Sequence, residues 1–262
     1  MERSTNPPRS TERDPEFVEA LARGLNVIGA FNRDRRRMTL SEVAKHTDLS
    51  RGTARRLLHT LRALNFVDTD GRLFWLTPKV LNFGDAYTAT LGLGDPARTA
   101  LQEVTETLGE SSSIAVLEGG EVVYVARVEV RRLYSSGIHV GTRLPAHCSS
   151  LGRVLLASLE DREIADWLDR HPLTKRTPRT VTDPALLIEK LQEVRQQEFA
   201  MIDGELEVGI RSMAVPVLGR TGRIVAALNA STSTARGSLD VMRKKFLPVL
   251  RAASRKISQS LE

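Results

Sequence analysis

The sequence predicts an α+β protein of two unequal units. The first is small, helical and finished by a β-hairpin; the second is larger and mixed. Three observations carry this reading. Residues 39–76 follow a helix, turn, helix, hairpin pattern. A glycine- and proline-marked break, Gly92-Leu93-Gly94-Asp95-Pro96, interrupts the chain soon after. Beyond it, strand-like segments come in antiparallel hairpins with helices at both ends, as in an α+β sheet rather than a doubly wound one.

Within the first unit, residues 16–32 form an amphipathic pattern through Phe17, Leu21, Leu25, Ile28 and Phe31, expected to be its first helix. A basic loop, Arg33 to Arg37, follows. Such a run is as often solvated surface as a phosphate contact. Thr39 and Glu42 fit a capping box, so a helix should start at Leu40, with Leu40, Val43 and Ala44 facing the core. Thr47-Asp48-Leu49 has room only for a turn, and Ser50 suits the N-cap of the next helix. In that helix Ala54, Leu57, Leu58, Leu61 and Leu64 make one apolar face, while Arg51, Arg55, Arg56, His59 and Arg62 lie mostly off it. Phe66-Val67 opens a strand, Asp70-Gly71 signals a two-residue hairpin, and Leu73 to Leu76 returns, with Arg72 at the tip.

This is the layout of a winged helix-turn-helix, which places its second helix in the DNA major groove. Arg51, Thr53 and Arg55 sit in the first turn and a half, where base edges are read. Arg56, His59, Arg62 and Arg72 are placed for further DNA contact, with Arg56, Arg62 and Arg72 assigned to phosphates. Arginine on an exposed helix is usually plain surface, but the capping box, short turn, capped arginine helix and hairpin occur here together and in order. Charge placement agrees: of the net +6, residues 1–84 carry 15 Lys/Arg against 10 Asp/Glu, and the remainder is nearly balanced.

The 262 residues suffice for two domains, and 41% hydrophobic with 27% charged content is ordinary for a globular protein. No apolar run is long enough to span a bilayer, so no membrane partner is expected. Residues 1–15 are polar and rich in Pro and Arg, and are expected to be a disordered arm rather than a secretion signal. Cys148 is the single cysteine, which excludes an internal disulfide and a cysteine-rich zinc site and fits a reducing cytoplasm. The expected organisation is a 1–15 arm, a 16–77 DNA-binding domain, a 78–95 linker helix and a 96–262 effector domain. In the last, residues 113–117, 122–130, 133–140, 199–202, 212–218 and 224–231 read as strands. Residues 96–108, 151–157, 161–170, 184–197 and 238–261 read as helices.

From here a family resemblance is visible. LARGLNVIGAF (21–31), LSEVAKHTDLSRGTARRLLHTLRALNFV (40–67), LTPKVLNFG (76–84), VGTRLPAHCSSLGRVLLA (140–157) and GIRSMAVPVLGRTGRIVAALNAS (209–231) resemble the isocitrate-lyase-regulator (IclR) family of bacterial transcription factors, over residues 16–261. The resemblance implies a winged helix-turn-helix followed by a GAF-like effector domain, acting as a homodimer or dimer of dimers on palindromic double-stranded operators. The stretch from Arg127 to Ala157 looks most like the branch controlling aromatic-acid catabolism, such as the β-ketoadipate pathway.

The loop running from Ala146 into the helix at Leu151 is the best place for ligand chemistry, because a helix start with small residues binds anions. Ser150 and Leu151 could donate N–H groups to a small carboxylate. By resemblance the pocket is lined by Leu133, Leu144, Ser149, Ser150, Leu151, Asp203, Ile210, Ser212, Asn229 and Ser231. A mostly apolar pocket with a few polar groups suits a small organic acid, aromatic in the branch named. His147 and Cys148 suggest a nucleophile pair, but adjacent residues rarely aim at one another and no third group orients the histidine. No catalytic residue, metal site or cofactor is expected. The alternative is a GAF-type signalling or enzymatic domain with an appended helix-turn-helix; the lack of a glycine-rich phosphate loop, metal cluster or triad counts against its enzymatic form.

Overall fold

The computed structural model describes residues 16–130 and 137–261. The 1–15 arm and residues 133–136, including Leu133, of the strand expected over 133–140 lie outside them. Contacts divide the chain into two units, between Tyr87 and Thr88.

In the first unit, α1 (Glu19–Gly29), α2 (Leu40–Thr47) and α3 (Arg51–Ala63) pack around Val27, Val43, Ala54, Leu58 and Leu61. The capping box forms as the sequence predicts. The Thr39 hydroxyl accepts from Glu42 N–H (3.3 Å), and the Glu42 carboxylate accepts from Thr39 N–H (2.7 Å). Asp48 closes α2 in the left-handed conformation (φ 53°), turning the chain sharply into α3.

Three details differ from expectation. The hairpin of β2 (Val67–Thr69) and β3 (Leu73–Leu76) leaves three residues, Asp70 to Arg72, between its strands rather than two. Only Gly71 takes positive φ (95°), because the Asp70 carboxylate caps Arg72 N–H (2.9 Å) and Leu73 N–H (2.8 Å) and holds the wider loop. A further strand, β1 (Met38–Thr39), pairs with β3 and makes the sheet three-stranded, order β1-β3-β2. Finally, Phe17, Leu21 and Leu25 are more than half exposed, as is Val18, and Leu64 at the end of α3 is also exposed. α4 (Leu81–Thr90) follows a 3₁₀ turn at Pro78–Val80 and buries none of its residues. Phe83 stacks on Phe66 at 5.3 Å.

The second unit is built on an antiparallel six-stranded sheet, order β6-β5-β4-β9-β8-β7. Its elements run α5 (Asp95–Leu108), β4 (Ser112–Glu118), β5 (Glu121–Val128), β6 (Arg143–Pro145), α6 (Ser150–Ala157), α7 (Asp161–Arg170) and α8 (Pro184–Gln197). They continue through β7 (Ala200–Asp203), β8 (Ile210–Leu218), β9 (Ile224–Ser233), α9 (Leu239–Val241), a π segment (Met242–Phe246) and α10 (Leu247–Ser260). Among the described residues the third strand is Arg143–Pro145, and residues 137–140 of the expected 133–140 lie in no strand. Gly141 (φ 85°) and the Thr142 N–H to His139 carbonyl bond (2.9 Å) make a turn there, which already bonds Tyr124 of β5 through Gly141 N–H (2.7 Å) and the Thr142 carbonyl (3.0 Å), and the paired strand begins at Arg143. The single helix expected over 238–261 is widened at Met242–Phe246, next to Pro248, which has no N–H to return to the preceding turn.

Strand alternation gives the sheet two buried faces. On one, Ile114, Met213, Val215 and Leu228 meet Leu101 of α5 and Leu250 and Ile257 of α10. On the other, Ala115, Ala200, Ala214 and Ala227 form a track of small side chains beneath Leu151 and Leu155 of α6, with Leu187 and Leu191 of α8 in the same cluster. Small residues allow close approach, and all eight residues of α6 are buried. Each fully buried leucine contributes roughly 1.5–3 kcal/mol.

Candidate functional site

On α3, the Ser50 hydroxyl accepts from Thr53 N–H (3.1 Å) and lies 2.9 Å from the Thr53 hydroxyl. Thr53 is therefore half-buried and tied to the cap, a restraint the sequence did not reveal. Arg51, Gly52, Arg55, Arg56, His59 and Arg62 are all exposed. None of these charged side chains, nor Arg72 on the hairpin loop, has a salt bridge among the described residues. Ala54, Leu58 and Leu61 turn the other side of the helix into the core. The result is one concentrated, un-neutralised cationic face. Arg37, in the basic loop, packs over the Trp75 ring at 4.2 Å from its centroid and so joins the hairpin, a position legible only once β1 is paired with β3.

The second site lies where α6 begins against the sheet. Ser149 caps α6: its hydroxyl accepts from Gly152 N–H (3.1 Å) and donates to the Ala146 carbonyl (3.4 Å). That leaves the N–H groups of Ser150 and Leu151 with no partner among the described residues, although both residues are 1% exposed or less. The Ser150 hydroxyl is also buried without a partner. Three orphan donors at one helix start are unusual in a folded interior.

Below them, strand alternation puts Ser113, Asn229, Ser231, Ser212 and Ile210 on the α6 side of the sheet, in register through Ser113↔Asn229 and Ser212↔Ser231. The Asn229 side-chain N–H donates to the Ser231 hydroxyl (3.3 Å). Leu144 pairs with Val122 and packs into the same apolar cluster. Arg127, absent from the expected pocket residues, donates to the Ser113 hydroxyl (2.9 Å) from β5 on this face.

Asp203 departs from the expectation. It pairs with Arg211, one residue out of phase with Ser212, and so belongs to the opposite face of the sheet. Its carboxylate accepts from Arg211 (2.7 Å) and Arg179 (2.6 Å), and these bonds hold it below the usual carboxylate range. It also borders a cleft of about 520 Å³ walled by Arg179, Lys190, Glu193 and Arg243. Three of the cleft's cations are already paired, Arg153 with Glu205, Arg179 with Asp203 and Lys190 with Glu193.

No catalytic pair forms at His147 and Cys148. A carbonyl only accepts, so His147 Nε2–H donates to Thr174 (3.1 Å), away from the thiol; burial pushes the imidazole pKa down. Burial pushes the Cys148 thiol up to about 11, with Glu205 adding to the effect. We expect no labelling of the native protein by a thiol reagent at pH 8, and full labelling once it is unfolded. Stoichiometric labelling of native protein within minutes would contradict this geometry. No group of three or more metal-ligating side chains occurs among the described residues, and no helix there is long and apolar enough to cross a membrane.

A helix-turn-helix with an exposed cationic helix, together with a separate α/β unit holding orphan donors, defines a DNA-binding transcriptional regulator with an effector domain. Residues 20–71 match the IclR helix-turn-helix domain, and residues 85–259 match the C-terminal domain of bacterial IclR transcriptional regulators. The chain belongs to the IclR family. It is 42% identical over 249 residues to the Pca regulon regulatory protein of Pseudomonas putida, covering 95% of this chain and 86% of that one. It is 39% identical over 252 residues to the p-hydroxybenzoate hydroxylase transcriptional activator of Acinetobacter baylyi, covering 93% of each. A crystal structure of an IclR homolog complexed with 4-hydroxybenzoate, from Microbacterium hydrocarbonoxydans, superimposes with a TM-score of 0.83 at 27% identity, over 92% of this chain and 98% of that one. These relatives are regulators rather than enzymes, and the alternative of an enzymatic or signalling module is not favoured.

Proposed function

We propose that this regulator controls genes of aromatic-compound catabolism by binding a small aromatic carboxylate at the start of α6. The observation that carries the reading is the set of orphan donors there: Ser150 N–H, Leu151 N–H and the Ser150 hydroxyl. A carboxylate satisfies all three and gains from the helix dipole. The polar strip of Ser212, Asn229 and Ser231 supplies further partners, and Leu144, Ile210 and Leu151 supply apolar wall. The names of the two relatives, and the 4-hydroxybenzoate bound by the structural neighbour, support the aromatic class. Ser149 contributes by capping the helix.

On DNA, Arg51 and Arg55 read bases, Thr53 sets the start of the helix and contributes a methyl edge, and Arg56, His59, Arg62 and Arg72 hold the backbone. The exposed apolar residues Phe17, Val18, Leu21 and Leu25 of the α1 region, and Leu81, Phe83 and Tyr87 of α4, are suited to cover by a second copy. A homodimer on a palindromic operator follows, working in the cytoplasm, with a dimer of dimers as its extension. The effector acts by binding two states with different affinity.

Titrating full-length protein with 4-hydroxybenzoate is expected to raise the melting temperature, by a stabilisation of about 2.7 kcal/mol at a hundredfold excess over Kd. The same ligand should change the mobility shift of DNA from the gene's own upstream region. No stabilisation by any hydroxybenzoate or related dicarboxylate would sink the effector assignment.

A further inference from the structure

Arg153 lies one turn into α6 and is 4% exposed. Its Nε donates to the His147 carbonyl (3.1 Å) and its Nη2 to Glu205 Oε2 (2.6 Å). Glu205, in the turn after β7, is itself buried. The same Glu205 oxygen accepts from Val181 N–H (3.3 Å), and the Glu205 carbonyl accepts from the hydroxyls of Thr180 (2.7 Å) and Thr177 (3.2 Å). His147 reaches the same loop through the Thr174 carbonyl. Three segments distant in sequence, residues 146–153, 174–181 and 203–205, thus meet at one guanidinium–carboxylate pair.

The pair is a poor source of stability. Burial outweighs the mutual attraction at each end, leaving the Glu205 carboxyl above its usual range and the Arg153 guanidinium below its own. Apolar side chains of similar volume often replace such a pair without loss of stability. What apolar side chains cannot reproduce is the bond to the His147 carbonyl. That carbonyl stands two residues before the Ser149 cap, and its position sets where the chain enters α6.

We propose that Arg153 and Glu205 are positioning residues for effector recognition: their pair fixes the His147–Ser149 approach so that the Ser150 and Leu151 donors converge on a carboxylate. The inference rests on the effector site proposed above. The ligand does not touch the pair, which acts through the backbone of His147.

The test compares wild type, Ser150→Ala, Arg153→Met and the double variant Arg153→Met with Glu205→Leu, all full length. Melting temperature and the 4-hydroxybenzoate Kd are measured for each. Arg153→Met alone strands a buried carboxylate and is expected to melt lower. The double variant is expected to recover the melting temperature yet bind about tenfold or more weakly, the loss of one well-aligned charged hydrogen bond. Ser150→Ala is expected to melt no lower than wild type and also to bind more weakly.

A double variant with recovered stability and wild-type Kd, beside a weakened Ser150→Ala, overturns the positioning role alone. A double variant that stays unstable while binding normally does so too. Wild-type affinity in Ser150→Ala overturns the site itself, and absence of binding by wild type overturns both.

Discussion

Gly152→Ala is expected to destabilise the effector unit severely, although it adds only one methyl group. A Cβ at Gly152 would lie 2.1 Å from the Ala146 carbonyl oxygen, 2.4 Å from its Cα and 2.5 Å from its carbonyl carbon. All three are backbone atoms, so no side chain can swing aside. Either the 146–149 turn or α6 must retreat. α6 is buried on all sides and the turn is held by Ala146 N–H on the Gly120 carbonyl (3.0 Å) and by Arg153 on His147. Overpacking of this kind costs on the order of 3 kcal/mol. For a domain of this size that lowers the melting temperature by roughly 6–12 °C. Because the displaced atoms flank Ser150 and Leu151, 4-hydroxybenzoate affinity should fall with it. Gly84→Ala in α4 is the matched control: nothing lies within 4 Å of its Cβ, and helix propensity favours alanine by about 1 kcal/mol. Calorimetry of both variants checks the pair of expectations; a wild-type melting temperature for Gly152→Ala would mean that α6 does not lie this close to Ala146.

Operator affinity is expected to fall about a thousandfold or more between roughly 50 and 200 mM salt. On the proposed reading, the three arginines Arg56, Arg62 and Arg72 would each neutralise one phosphate per copy, hence about six in a dimer, with His59 counted as neutral; phosphate neutralisation makes log K linear in log salt. Arg72→Ala should weaken all sequences alike and reduce that slope by about one per copy. It stands on the Asp70-capped hairpin loop and not on α3. Arg55→Ala should instead relax base preference, because Arg55 stands on the exposed side of the first turns of α3. Fluorescence anisotropy over a salt series, with operator and scrambled duplexes, checks both. A flat salt response would contradict the interface, and equal uniform losses would contradict the division of roles.

Much of this was legible because the signals are local. Thr39 with Glu42, Ser50 before Arg51, and Pro96 and Pro184 inside the first turns of α5 and α8 each specify a helix start within four residues. The boundaries of α7 and α8 are those the sequence predicts. The apolar stripe of α1 was legible as a stripe, but not the fact that Phe17, Leu21 and Leu25 are left exposed, since periodicity says that a face is apolar and not what covers it. Strands were harder. β1 and β6 are only 2 and 3 residues long and exist because a distant partner pairs with them, which no local pattern reports.

The sequence by itself determined the helix-turn-helix, the concentration of positive charge on it, the family, and the helix start at Ser149–Leu151. Each depends on neighbours a few residues apart or on composition. Only the tertiary structure decided which side chains share a face and which groups stay unsatisfied. Asp203 falls behind the sheet because register with Arg211, not proximity in sequence to the pocket residues, sets its direction. Arg153 and Glu205, 52 residues apart, meet because α6 and the β7–β8 turn are brought together in the fold. The donors of Ser150 and Leu151 are chemically ordinary in the sequence. They become unsatisfied donors, and so the proposed effector site, only when the sheet, its alanine track and the surrounding helices remove the water that would otherwise satisfy them.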